Sequence, residues 1–110
     1  MERVSVVQHL RNKHEARRQR RELQERYGRA RVVLAEADMR ECLVESGGDV
    51  DKAAELFEQR WRRLHDDGPG SIAMILTFVQ LAILAYKILR YFGFLTPSPE
   101  QFEQVYSENL

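Results

Sequence analysis

The chain has 110 residues, with 17 Lys and Arg, 17 Asp and Glu, three His, one Cys and three Pro. That length holds one small domain with an appendage, and the single cysteine, Cys42, excludes an internal disulfide framework and any multi-cysteine zinc site. The zero net charge hides three blocks: residues 1–31 carry ten basic against four acidic residues (net +6), residues 32–70 five against ten (net −5), and residues 71–110 two against three (net −1).

The basic block, from about Glu2 to Tyr27, reads as a helix because Arg, Glu, Gln and Leu are good helix formers, and Gly28 is placed to end it. Its apolar face is thin: Val4, Val7 and Leu10 at the start, Leu23 and Tyr27 near the end, and only Ala16 between Arg11 and Glu22. Such a helix has no core-facing stripe of its own, so it is expected to be solvated or to lie on a partner. Its strongest polar signal is Arg17-Arg18-Gln19-Arg20-Arg21. Bases at this density suit a nucleic-acid backbone, anionic headgroups or an acidic protein surface. Glu15, Glu22 and Glu25 dilute the run and no aromatic ring lies between Arg11 and Arg26 to stack on a base, so nucleic acid is not the expected partner. Arg17, Arg18, Arg20 and Arg21 are expected either to pair with glutamates along the helix or to dock on an acidic protein.

The acidic middle block predicts two short helices. Ala35 to Ser46 places Met39, Cys42 and Leu43 on one face, and Gly47-Gly48 supplies the positive φ that closes it. Asp49 is an N-cap candidate for the next helix. There Val50, Ala53, Ala54, Phe57, Trp61 and Leu64 fall at helical spacing, opposite a solvated face of Asp51, Lys52, Glu55, Glu58, Gln59 and Arg62.

Ser71 to Tyr86 holds no charge in 16 positions, and apolar character continues to Leu95, broken by Lys87 and Arg90. From Ile72 to Leu95 a helix would be about 36 Å long, against a hydrocarbon core of about 30 Å. Residues 71–95 therefore predict a single membrane-spanning helix, with Lys87 and Arg90 reaching the headgroups and Gln80 and Thr77 facing neighbouring helices. The alternative is a core helix buried in the chain itself or in a dimer. Gly68-Pro69-Gly70 breaks the chain before this segment and Thr96-Pro97-Ser98-Pro99 after it, leaving a short polar tail at 96–110. Lys52, Arg60, Arg62 and Arg63 precede the segment within about 20 residues and no base follows Leu95, which by the inner-side bias of Lys and Arg puts the N-terminal part in the cytosol or an organelle matrix.

The run from Arg40 to Phe57 (RECLVESGGDVDKAAELF) resembles the second and third helices of ubiquitin-associated-like three-helix domains, most closely the N-terminal module of elongation factor Ts. The resemblance implies a compact helical corner at 30–67 used for binding, with Leu56 and Phe57 as the apolar pair that meets a partner and Trp61 beside them. Ubiquitin-binding members also present a Met-Gly-Phe/Tyr loop, where this chain has Val32-Val33-Leu34 without glycine. Half of that recognition surface is altered.

No GxSxG, Walker, GxGxxG or HExxH pattern occurs. His9 and His14 are five apart, off the spacing of a helical metal pair, and read as solvated surface; His65 stands alone, and Cys42 reads as a buried small hydrophobe. The expected protein is all-α, without cofactor, metal or catalytic site: a long basic helix (1–29), a helical corner, a membrane helix and a tail. Its expected role is that of a non-catalytic accessory subunit of a larger membrane complex, in an organelle membrane with the mitochondrial inner membrane favoured. Its partners would be other subunits and the bilayer. The alternative is a tail-anchored adaptor that binds ubiquitin or another protein through the corner.

Overall fold

A computed structural model describes residues 6–64, 69–94 and 97–108. Among them are five α-helices and no strand: α1 Val6–Tyr27, α2 Arg29–Glu45, α3 Val50–Leu64, α4 Pro69–Tyr91 and α5 Pro99–Glu108. Gly28 alone separates α1 from α2; its φ of 93° is a conformation in which a helix cannot continue and which glycine adopts freely. Because α2 begins at Arg29, six residues before the expected start, Val32-Val33-Leu34 lies in unbroken helix and forms no loop.

The α2–α3 corner closes as a glycine-rich cap. Gly48 N–H donates to the Leu43 carbonyl (2.9 Å) and Gly47 N–H to that of Val44 (3.1 Å), both glycines at positive φ. Asp49 then accepts the Lys52 backbone N–H (3.2 Å) at the start of α3. The stripe Val50, Ala53, Ala54, Phe57 and Trp61 is buried, whereas Leu64 is exposed.

Pro69 lies in the first turn of α4, where its missing N–H costs nothing, so the expected breaker is the helix start. On α4 the buried residues Met74, Phe78, Leu81, Ala85 and Ile88 alternate at steps of four and three, with Ile75, Ala82 and Leu89 beside them at steps of seven. That seven-residue period is the seam of a helix packed among helices. α1, α3 and α5 all pack on it. Rings fix the α3 contact, with Phe57 5.7 Å from Phe78 and 5.4 Å from Trp61. α1 runs antiparallel to α4: His9 stacks on Tyr91 at one end, and Leu23 and Tyr27 border a cleft with Thr77 at the other.

Three expectations change. The long apolar helix is not the last element, since α5 follows within the segment read as a polar tail and buries Phe102, Val105 and Tyr106. The helix ends at Tyr91 rather than near Leu95; Gly93, at φ 88°, follows, and residues 95–96 lie outside the described residues. The basic helix is packed along its length, because it buries small and polar groups (His9, Asn12, Ala16) where a longer apolar side chain was looked for.

Candidate functional site

The arginine run is divided by the helix that carries it. Arg17 and Arg21 are exposed on the outer face of α1. Arg18 is engaged by its own helix, with Nη1 2.8 Å from Glu22 and a second ion pair to Glu15. Those hydrogen bonds, from Arg18 first and then Gln19, hold the Glu15 carboxyl below its usual range. Arg20 turns inward, with Nε 3.0 Å and Nη2 3.2 Å from the two oxygens of Glu36, a carboxylate 4% exposed. Beside this pair Arg40 reaches Glu103 of α5 at 3.6 Å. The phenol of Tyr106 is buried against the cluster; desolvation first, then the Glu36 charge, push it well above its ordinary value. Arg20 thus ties α1 to α2, with Arg40 carrying the cluster on to α5, and is no free docking group.

The pair assigned to a partner by resemblance also faces inward. Phe57 and Trp61 are fully buried, and the Trp61 indole N–H donates to Asp38 at 2.7 Å. Leu56 is half-buried against the same core. α4 covers the surface that they would present, because a stripe this apolar is satisfied by the next apolar helix in the chain. Cys42 is buried on the inner face of α2, and desolvation raises its thiol pKa. His9 corrects the expectation of a solvated imidazole. It stacks on Tyr91 at 4.0 Å, and burial, then Lys13, lower its pKa. His14 is exposed, and His65 lies outside the described residues.

Of the polar positions on the apolar helix, Gln80, Lys87 and Arg90 are exposed, Arg90 lying over the Tyr86 ring at 5.9 Å. The Thr77 hydroxyl donates to the Ala73 carbonyl of its own helix at 2.8 Å. Where α4 ends beside the start of α1, Val6, Val7 and Leu10 are exposed on one helix and Phe92 and Phe94 on the chain leaving the other. His9 links the two groups, its ring 5.4 Å from that of Phe92. Arg11, Lys13, Lys87 and Arg90 belong to the same stretches, and neither 6–14 nor 72–94 holds an acidic residue. The sequence carried one sign of this patch: Val7 and Leu10 are apolar residues at the start of a helix otherwise poor in them.

A cleft of about 550 Å³ runs between the Gly47-Gly48 turn and α4, bordered by Asp49, Val50, Ile83, Tyr86 and Pro99. Asp49 is committed to the start of α3, and Asp51 and Tyr86 are the other titratable groups that line the cleft. Among the described residues no group of three or more His, Cys, Asp or Glu is placed to hold a metal. No protein-family model, curated protein or solved structure shows significant similarity to the chain.

Proposed function

We propose that this chain is a non-catalytic helical accessory module that rests on an anionic membrane surface through the end of the bundle where α1 begins and α4 ends. The observation that supports the reading is the set Val6, Val7, Leu10, Phe92 and Phe94, all exposed, within segments whose only charges are basic. Apolar side chains entering the headgroup boundary gain about 1.5–3 kcal/mol each when fully buried. Each nearby Lys or Arg adds about 1 kcal/mol against anionic lipid. Phe92 and Phe94 suit that depth, and Arg11, Lys13, Lys87 and Arg90 have stems long enough to hold their charges among the headgroups.

A second reading has α4 itself crossing the bilayer, as one span of an accessory subunit in a larger membrane complex, with the other helices on the cytosolic or matrix side. One observation favours it: Ile72–Tyr91 is long and apolar enough to cross a membrane. In the folded bundle, however, α1 lies along α4 and brings Arg11, Lys13 and Glu15 with it, a pair of helices that hydrocarbon does not admit. Crossing therefore requires α1 and α3 to leave the seam of α4 and helices of other subunits to replace them.

The two readings separate in one experiment. The full chain is sedimented with phosphatidylcholine vesicles, with and without phosphatidylserine, and membranes of cells expressing it are washed with salt and then carbonate. Surface attachment gives pelleting only with phosphatidylserine, release by carbonate, and loss of binding by about tenfold or more in the double variant V7D/F92D. A spanning helix stays in the carbonate pellet. Failure to bind either vesicle, with no membrane-bound fraction in cells, would overturn both.

A further inference from the structure

The first turns of α1 are held to the bundle by one side chain. From Val6 to Arg11 only His9 is buried, at 8% exposure, while Val6, Val7, Gln8, Leu10 and Arg11 are all exposed. The next buried residue of the helix is Asn12, and its first buried apolar side chain is Ala16. His9 is seated among rings, stacked on Tyr91 at 4.0 Å and edge-on to Phe92 at 5.4 Å, and its Nδ1 is buried without a hydrogen-bond partner.

That seat suits a neutral imidazole and not a charged one. An imidazolium carries two N–H donors, and at Nδ1 there is no acceptor for either. The stacked face of Tyr91 attracts a cation but accepts no N–H lying in the plane of the imidazole. On α1 the charge that acts on His9 is Lys13, a base. At the end of α4 the titratable groups are the Tyr91 phenol, Lys87 and Arg90, and neither 6–14 nor 72–94 holds a carboxylate that could neutralise an imidazolium.

We infer that protonation of His9 frees the first turns of α1 from the end of α4, so that mild acidity strengthens the surface attachment proposed above, on which this regulation rests. The freed segment carries Val6, Val7 and Leu10 beside Arg11, Lys13 and a newly charged His9, and it can turn its apolar side chains into the headgroup boundary without moving the bundle. Tyr91, uncovered by the same step, joins Phe92 and Phe94 at that end. The docked imidazole is held below its ordinary range, by burial first and then by Lys13, so release gains as pH falls below about 6.5, the value of a free imidazole.

The test is binding of the full chain to phosphatidylglycerol vesicles, whose charge is the same at about pH 7 and about pH 5. The expected result is a gain of about fivefold or more on acidification, the worth of one added positive charge at an anionic surface. H14Q, which removes an exposed imidazole, keeps a gain that H9F/H14Q loses. Without lipid, nuclear Overhauser contacts between the His9 and Tyr91 rings are expected to disappear as His9 protonates, while resonances beyond Ala16 stay in place. That measurement on the unmodified chain decides the matter even where H9F/H14Q fails to fold. Binding that does not change with pH, a double variant that gains as much as H14Q, or ring contacts that survive protonation would overturn this regulation and leave the surface attachment standing. Absence of binding at either pH would overturn both.

Discussion

Arg20 and Arg17 are one turn apart in a run of four similar residues, yet they do different things. The guanidinium of Arg20 neutralises Glu36, which is too deeply buried to stand alone, whereas Arg17 is in water. Removing one partner of such a pair costs about 3 kcal/mol or more. Arg20→Ala is therefore expected to lower the urea midpoint by that equivalent, and Arg17→Ala to stay within about 0.5 kcal/mol of the parent. His9 supplies a pH dependence of definite sign. Burial first, then Lys13, lower its pKa in the fold, so between the folded and unfolded values the unfolded chain binds a proton that the native chain does not. The contribution is fully present above the ordinary imidazole range near 6.5 and is lost as pH falls below it. His9→Phe, which keeps a ring for Tyr91, is expected to flatten the fall in stability seen by urea titration from about pH 7 to pH 5.

Helices were legible in the sequence wherever a stripe or a glycine marked them. Val50 to Trp61 show their spacing directly, and Gly28, Gly47 and Gly48 end helices because their positive φ excludes other residues at low cost. α1 was legible as a helix from its composition and Gly28, but its packing was not, since its buried line includes His9 and Asn12, which no hydrophobic pattern picks out. α5 was hidden by its ten-residue length, although Phe102 and Tyr106 are four apart on one face. The long apolar segment was ambiguous in kind, because a membrane helix and a central bundle helix share one composition and both pack through a seven-residue seam of the sort that α4 buries. The site residues fared unevenly: spacing put Phe57 and Trp61 on the apolar stripe that is buried, the resemblance made them partner contacts, and composition alone did not say that Arg20 turns inward. Gly48 tests the joint between elements. At φ 90°, a Cβ there would lie 3.2 Å from the Pro97 carbonyl oxygen, whereas at Gly28 nothing is within 4 Å. Gly48→Ala is expected to cost roughly 1–3 kcal/mol, the upper part of the range, and to lower Tm more than Gly28→Ala, which pays for backbone strain alone.

At the scale of the molecule, one apolar helix organises everything else. α4 closes the core under α3, receives α1 along its length and carries α5 behind it. The contact of Phe57 with Phe78 also has a consequence for how the chain is made. α1, α2 and α3 leave the ribosome first, with Phe57 and Trp61 still uncovered, and the helix that shelters them follows only after α3 is complete. His9 must wait for Tyr91, at nearly the other end of the sequence. Loop closure over that distance is slow compared with forming a local helix. A nascent chain stalled before Pro69 therefore displays an aromatic surface that invites chaperones and aggregation. The α2–α3 corner, self-contained as its sequence looks, is therefore expected to aggregate when expressed without α4.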